Sequence, residues 1–276
     1  MRKYVCNMKK FRYITVSKKS IICACLLIAT LVLSTMTMAN ADYVINTASQ
    51  NKKLPIYCTT QTEKKASLSF DAAWGNEDTQ ELINILAKYN VKATFFVVGE
   101  WVDKYPESVK ALSDAGHEIM NHSDTHPDMV NISKEEMSKE IESCNDKIEK
   151  VTGKRPILFR APYGSYNNTL IDCIEEKGMY CIQWDVDSLD WKDYTADKIY
   201  NRVTGRVKEG SICLFHNAAK HTPEALPSII EKLQSDGYTL VPISELIYKG
   251  EFTLDHEGRQ IPAAKQTPIT TTAKAS

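Results

Sequence analysis

The chain has 276 residues and a formal net charge of −1, from 34 Lys and Arg side chains and 35 Asp and Glu side chains. Seven of the cations lie within the first nineteen residues, and residues 1–41 contain no acidic side chain, so the chain from residue 42 onward carries a net charge of −8. Nucleic-acid binding needs a basic face, and this acidic balance argues against it. The remaining length is enough for one large domain with a substantial hydrophobic core.

The N-terminus has the pattern of an export leader over residues 1–41. A basic flank precedes an uncharged run that ends in Ala39, Asn40 and Ala41, the small-x-small spacing that signal peptidase needs. An uncleaved signal-anchor is the alternative, because the apolar part of residues 20–39 could just span a bilayer. Either way, we expect an extracellular or cell-wall protein that touches the membrane only through an uncleaved leader.

Residues 42–65 are polar and irregular, and we interpret them as a linker. From residue 66 short apolar runs alternate with helical segments, which indicates one α/β domain with a parallel sheet over residues 66–250. A barrel and a doubly wound sheet both fit this order. The predicted strands are 67–70, 93–98, 117–120, 157–159, 180–184, 211–215 and 238–241. The predicted helices are 77–89, 105–115, 134–151, 169–177, 196–208 and 223–235.

The helix predicted over 134–151 has the most explicit boundary signals. Ser133 and Glu136 make a capping-box pattern, and Gly153 supplies a stop. After residue 250 the alternation is lost, and residues 251–276 are predicted to form a disordered tail. The five cysteines beyond the leader lack the close spacing of a metal site, so we expect buried free thiols.

Polar and titratable residues gather at the carboxyl ends of five predicted strands. In barrels and open α/β sheets these ends meet at one face, where active sites are built. The opposite strand ends hold nothing comparable. The two tryptophans of the set either belong to the core or stack on sugar rings. In chain order the set comprises Asp71, Trp74, His122, His126, Arg160, Tyr163, Asp190, Trp191, Leu214 and His216.

Two charge pairs are predicted within this set. Arg160 leaves an apolar strand and needs an anionic partner, because an unpaired buried charge is unfavourable. Asp71, across the barrel mouth, is the natural candidate, although a helix-capping role would also explain it. Asp190 and His216 come from neighbouring strands and could form a carboxylate–imidazole pair, which raises the basicity of the imidazole.

The histidines indicate a metal site. His122 and His126 stand four residues apart, a spacing that lets a helical turn or a tight loop aim both imidazoles at one ion. Such a pair is a weak signal alone. It is strengthened because His216 and His221 also lie near predicted strand ends.

In combination, these sequence blocks resemble the polysaccharide deacetylases of carbohydrate esterase family four. The similarity covers about residues 66–248, with five blocks in the family's order, and is closest to the sporulation-associated deacetylase-like proteins of spore-forming Gram-positive bacteria. This resemblance implies a distorted (β/α) barrel of about seven parallel strands. It also implies a carbohydrate N-deacetylase, a hydrolase of linear amide bonds, acting on cell-wall polysaccharide with a divalent metal such as zinc.

The resemblance assigns a role to each matching residue. Asp71 would be the catalytic base, His122 and His126 two metal ligands, Arg160 the partner of the base, and the backbone N–H of Tyr163 an oxyanion donor. Asp190 would tune His216, the general acid, while Trp191 and Leu214 would shape the acetyl pocket and groove, with Trp74 at the mouth.

One position departs from the family pattern. The first block normally has two consecutive aspartates, the second of which is the third metal ligand, and here that residue is Ala72. A methyl group cannot bind a cation, whereas a catalytic zinc usually takes three protein ligands. Glu77, Asp78, Asp124 and Asp71 itself are the alternative carboxylates.

The sequence is consistent with three functions. The first is deacetylation of N-acetylglucosamine or N-acetylmuramic acid in peptidoglycan, with the spore cortex as a setting, and the two complete charge pairs favour it. The second is a glycan-binding or wall-organising protein without chemistry, which Ala72 favours. The third is deacetylation of another N-acetyl or O-acetyl substrate.

Overall fold

A computed structural model describes residues 17–19, 21–22, 26–31, 34 and 52–263. Its contacts divide the chain into two units, Met1–Lys52 and Lys53–Ser276. In the first unit the short described pieces are mostly helical, and the rest of the predicted leader lies outside the described residues. Within the described parts of the chain, no helix has both the length and the apolar character needed to span a membrane.

The second unit is built on a parallel sheet whose seven strands follow the order β6-β5-β4-β3-β2-β8-β7. This confirms the predicted distorted (β/α) barrel with about seven parallel strands. A further short strand, β9 (Thr239–Leu240), pairs with the start of β2. The seven are β2 (Lys65–Ala72), β3 (Thr94–Val97), β4 (Glu118–Asn121), β5 (Leu158–Phe159), β6 (Tyr180–Cys181), β7 (Val186–Asp187) and β8 (Ile212–His216).

One strand of the sheet was not predicted. β7 lies in the segment that the sequence indicated as the loop after the fifth strand, and it pairs with β8 through Val186 and Asp187. Two residues are too few to show the alternation that identifies a strand. The seventh predicted strand, 238–241, is instead β9, beside the main order.

Helices cover the sheet and follow the predicted alternation. All six predicted helices are present, with ends that differ by a few residues, and two short ones, α2 and α8, are additional. The helices are α1 (Thr79–Lys88), α2 (Gly99–Lys104), α3 (Pro106–Asp114), α4 (Lys134–Thr152), α5 (Asn168–Glu176), α6 (Ala196–Thr204), α7 (Thr222–Ser235) and α8 (Ile243–Leu246).

The N-terminus of α4 carries the predicted capping box. Ser133 Oγ accepts a hydrogen bond from the Glu136 N–H, and the Glu136 carboxylate accepts from the Ser133 N–H, at 3.2 and 2.9 Å. Gly153 ends the helix at φ +72°, a conformation that glycine adopts without strain.

Ser133→Ala is therefore expected to lower the free energy of unfolding by about 1 kcal/mol, the usual value of an N-cap. Urea denaturation measures this change. Ser133→Thr keeps the acceptor oxygen and should retain most of the stability. Equal losses in both variants would show that the cap is not the cause.

Strand β2 separates the core from the interior of the barrel. Alternate side chains of a strand point to opposite faces. Leu68, Phe70 and Ala72 are fully buried in the main apolar cluster, which also contains residues of α1, α3 and α7. Ser69 and Asp71 occupy the other face and hydrogen-bond to Arg160. The sequence of β2 thus directs one polar stripe into the barrel.

Two predicted boundaries need correction. Residues 52–65, interpreted as linker, contain β1 (Cys58–Thr59), and residues 251–263, interpreted as tail, contain β10 (Phe252–Leu254) and β11 (Arg259–Pro262). These three strands form a separate sheet of order β1-β11-β10. β10 and β11 pair locally and antiparallel, but β11 also pairs with β1, Arg259 beside Cys58, and a local pattern cannot reveal that distant contact. Residues 42–51 and 264–276 lie outside the described part. The five described cysteines are free and buried, as predicted.

Candidate active site

The carboxyl ends of the strands open on a cavity of about 770 Å³. It contains every predicted site residue except Arg160, which lies fully buried and contacts Asp71. The strand-end pattern therefore brings its members together in space, while their catalytic roles stay predictions. The predicted residues that line the cavity are Asp71, Trp74, His122, His126, Tyr163, Asp190, Trp191, Leu214 and His216.

Asp71 and Arg160 form a buried ion pair. Arg160 Nη1 donates to Asp71 Oδ1 at 2.7 Å, and Nη2 donates to Ser69 Oγ at 2.9 Å. The guanidinium also lies 4.1 Å from the ring centre of Phe96. Burial alone would raise the pKa of Asp71, but the charge of Arg160, helped by His122, outweighs it and holds that pKa below its ordinary value. Asp71 is therefore a carboxylate at neutral pH.

Burial also lowers the pKa of Arg160, and Asp71 opposes that effect. A guanidinium begins from so high a value that it keeps its proton. The pair is thus an ionised carboxylate beside a cation, with one carboxylate oxygen turned toward the histidines.

His122 and His126 lie on a tight loop after β4. His122 Nδ1 lies 2.8 Å from the backbone oxygen of Arg160; a carbonyl only accepts, so Nδ1 carries the proton and Nε2 presents a lone pair. That Nε2 is 3.6 Å from Asp71 Oδ2. The ring of His126 stands edge-on to that of His122, with centres 5.0 Å apart. Burial lowers the pKa of both histidines, that of His126 to about 4. Both are neutral at pH 7, the form that binds metals.

None of the alternative carboxylates completes a metal site with these imidazoles. Ala72 is fully buried in the apolar cluster and does not line the cavity. Asp124 is turned away and pairs with Lys147 at 2.6 Å. Glu77 accepts from a neighbouring backbone N–H and Asp78 from the N–H of residue 218, and neither lines the cavity.

Asp71 is the carboxylate beside the two histidines, and it is already paired with Arg160. Across the described residues, no group of three or more His, Cys, Asp or Glu side chains is arranged to hold a metal ion. The side chains present therefore do not fit a three-ligand zinc centre.

Asp190 and His216 form the second charge pair. His216 Nδ1 lies 2.8 Å from Asp190 Oδ1, and the His216 backbone N–H donates to Oδ2 at 2.8 Å. Thr222 Oγ1 also donates to Oδ2, at 2.7 Å, and fixes the carboxylate further. Burial lowers the pKa of His216, but the hydrogen bond and charge of Asp190 outweigh it, and the net pKa is raised. Asp190 thus holds Nδ1 of His216, and the imidazole lines the cavity.

Asp190→Asn is expected to lower the pKa of His216, because the acceptor charge is lost while the burial remains. Histidine NMR titration measures that pKa directly. In the wild type the folded pKa exceeds the unfolded value near 6.5, so the pair stabilises the fold below that pH and its contribution fades as pH rises through the folded pKa. An unchanged pKa in Asp190→Asn would contradict the pairing.

Aromatic side chains surround the mouth of the cavity. Trp74, Tyr163 and Trp191 are 62, 72 and 57% exposed, which is unusual for such large rings in a folded domain. Tyr163 has a φ of +60°, and its ring lies 4.8 Å from that of His126. A left-handed conformation at a non-glycine residue is typical of strained functional sites. The arrangement leaves three large aromatic rings exposed at the mouth of the cavity.

Among the lining residues that the sequence did not single out are Trp184 and Asn217. Trp184 follows β6 and was counted only as the end of a predicted strand, although its indole lies 5.6 Å from the guanidinium of Arg160. Asn217 directly follows His216 and is buried. Both residues follow a strand, and that position in the sequence could have identified them as candidate site residues. His221 does not line this cavity; it contacts Glu224 instead.

The comparisons with known proteins agree with this geometry. Residues 59–182 match the polysaccharide deacetylase family. The peptidoglycan-N-acetylmuramic acid deacetylase PdaA of Bacillus subtilis is 32% identical over 202 residues, which cover 72% of this chain and 77% of PdaA. The chain therefore belongs to the polysaccharide deacetylase family.

Two other proteins are also similar to this chain. YlxY of Bacillus subtilis, described as uncharacterized, is 34% identical over 193 residues, covering 70% of this chain and 60% of YlxY. The match thus spans less than two thirds of that relative. The crystal structure of BA3943 from Bacillus anthracis, described as a CE4 family pseudoenzyme, has a TM-score of 0.69 at 36% identity and covers 71% of this chain and 69% of BA3943. A mutant of BA3943 is described as having restored enzymatic activity.

Proposed function

We propose that the chain is an exported polysaccharide N-deacetylase that removes acetyl groups from the amino sugars of cell-wall peptidoglycan. The observation that carries the proposal is that two complete charge pairs lie at one cavity. Asp71 is paired with Arg160, and Asp190 with His216. Export is supported by the leader pattern of residues 1–41. Relatives named as peptidoglycan deacetylases support the substrate class. A setting in sporulation rests on the sequence resemblance alone.

The proposed chemistry uses the chain's own acid and base. Amide hydrolysis needs an activated water and a protonated leaving amine. Asp71, kept ionised by Arg160, accepts the proton of the water, and His216 gives its Nε2 proton to the departing nitrogen. We assign the backbone N–H of Tyr163 to the oxyanion, a contact that contributes about 3–4 kcal/mol in comparable sites. Leu214, Trp191 and the other aromatic rings would bind the acetyl group and the sugar.

Ala72 stands where the family has its third metal ligand, and no step of the proposed reaction uses a metal ion. His122 and His126 supply two neutral imidazoles, which would hold a divalent ion weakly. We therefore propose only weak zinc binding by His122 and His126.

A second function is favoured by the same residues. Ala72 removes a carboxylate where the family has one, and BA3943, a similar structure, is described as a pseudoenzyme. On that basis the chain would bind glycan in the aromatic-lined cavity and organise the wall without turnover.

Acetate release from peptidoglycan and from chito-oligosaccharides by the full chain separates the two functions, with and without added Zn²⁺ or Co²⁺. The deacetylase proposal expects release that falls by about 10²–10⁴-fold in Asp71→Asn and in His216→Gln, the usual contribution of a general acid or base. Glycan binding without acetate release under any of these conditions would support the second function and overturn the first.

A further inference from the structure

Asn217 is a buried residue that the proposed chemistry does not use. It is 5% exposed, and both the oxygen and the nitrogen of its side-chain amide form hydrogen bonds. Oδ1 accepts from the Ala73 N–H at 3.2 Å, and Nδ2 donates to the carbonyl oxygens of Trp74 at 2.6 Å and Gly75 at 2.9 Å. Its own backbone N–H donates to the carbonyl oxygen of Asp71 at 3.1 Å. One residue therefore contacts four positions around the end of β2, namely Asp71, Ala73, Trp74 and Gly75.

The segment that Asn217 holds is the loop of residues 73–78 between β2 and α1. This loop has no regular secondary structure, and Gly75 within it has a φ of +53°. A second link joins the same two loops, because the Ala218 N–H donates to Asp78 Oδ2 at 2.8 Å. The buried Trp101 also holds the loop, because its Nε1 donates to the Gly75 carbonyl at 2.6 Å. The loop is thus fastened mainly by side chains.

The chemistry of these contacts calls for an amide at position 217. A carboxylate accepts hydrogen bonds but cannot donate them, so aspartate would keep the contact to Ala73 and leave the carbonyl oxygens of Trp74 and Gly75 facing a negative charge. The Gly75 carbonyl would keep its hydrogen bond from Trp101, but the Trp74 carbonyl would lose the donor of Asn217, and a carbonyl that loses its donor destabilises the backbone that carries it. Asparagine satisfies one donor and two acceptors at once.

We propose that Asn217 is a positioning residue that orders the loop of residues 73–78 and so holds Trp74 at the mouth of the cavity. It joins the loop after the proposed base to the strand end that carries the proposed acid, since Asp71 precedes the loop and His216 precedes Asn217. Trp74 then lies with its ring 5.5 Å from that of His126, in place to contact a sugar. The last step, sugar contact, rests on the proposed function; the ordering of the loop does not.

Hydrogen–deuterium exchange of the full chain tests the ordering of the loop. Asn217→Asp is expected to speed exchange in residues 73–78 by about tenfold or more, while exchange in the sheet is unchanged. Gln260→Glu is the matched control, because Gln260 is also a buried amide that bridges backbone groups, donating to the Tyr248 carbonyl and accepting from its N–H, away from the cavity. Faster exchange of residues 73–78 in Asn217→Asp alone supports the proposal, and unchanged exchange there overturns it.

A double-mutant cycle on the binding of N-acetylated chitotetraose tests the sugar contact separately. If Asn217 acts through Trp74, Asn217→Asp weakens binding in the wild type but adds no further loss in Trp74→Ala. Additive losses would show that Asn217 does not act through Trp74. Absence of binding by the wild type would instead count against the proposed function, and the exchange measurement would still decide whether Asn217 orders the loop.

Discussion

Arg160→Met is expected to lower the free energy of unfolding by about 3–5 kcal/mol, the usual result of removing one partner from a buried ion pair. Arg160 is fully buried and Asp71 nearly so, and the substitution would remove the cation that the carboxylate contacts, while His122 Nε2 would remain 3.6 Å away. Methionine keeps much of the volume, so a cavity would not explain the loss. Chemical denaturation monitored by circular dichroism measures it.

The loss should also depend on pH. In the wild type the pKa of Asp71 is held below its ordinary value, so the pair stabilises the fold above the unfolded pKa near 3.8 and loses that contribution as pH falls through the folded value. Without Arg160 the burial that raises this pKa loses its main opposing charge, and the variant is expected to lose stability as pH rises. The difference between wild type and Arg160→Met is therefore expected to be larger at pH 7 than at pH 4.

Two controls isolate the buried charge. Arg155 contacts three carboxylates on the surface of α4 but is 42% exposed, so Arg155→Ala should change stability by less than about 1 kcal/mol. The double variant Asp71→Leu with Arg160→Met removes both charges and should recover most of the stability. Equal losses in Arg155→Ala and Arg160→Met would contradict this view of the pair.

Ala72→Asp is expected to tighten Zn²⁺ binding by at least about tenfold, because residue 72 ends β2 directly after Asp71, and a carboxylate there that turns out of the apolar cluster toward the two neutral imidazoles would supply a third ligand. The same change should destabilise the metal-free protein, since Ala72 is fully buried in the apolar cluster and a carboxylate there lacks a partner. Bound zinc would offset that loss. The melting temperature of Ala72→Asp should therefore rise with Zn²⁺ more than that of the wild type.

Ala72→Asn is the matched control for this experiment. It has nearly the same size and polarity, but its amide is a poor zinc ligand, so it should share the destabilisation without the response to Zn²⁺. Equal Zn²⁺ affinity in wild type and Ala72→Asp would mean that His122, His126 and Asp71 already bind the ion, or that residue 72 keeps its side chain in the core.

Much of the site was predictable because its residues follow strands with a clear apolar pattern. The Asp71–Arg160 contact follows from one physical demand, the need of a buried cation for an anion. Asp190 and His216 were paired for a similar reason. In each case the strand ends meet at one face of the barrel, so a local pattern decides which side chains become neighbours.

The parts that escaped prediction depend on long-range contacts. Strands β1, β10 and β11 are short: β10 and β11 pair with each other locally, and the long-range contact is the pairing of β11 with β1, where Arg259 lies beside Cys58. The direction of Asp124 is decided by Lys147 on α4. Asn217 was visible only as a polar residue after a strand; its contacts with the loop of residues 73–78 required the fold.

The most direct test of the proposed deacetylase is mass spectrometry of peptidoglycan fragments after incubation with the full chain. We expect amino sugars that have lost one acetyl group, matched by free acetate, and about 10²–10⁴-fold less of both from Asp71→Asn. The deacetylase proposal would be contradicted if the chain binds the fragments but they keep all their acetyl groups in the presence of Zn²⁺ or Co²⁺.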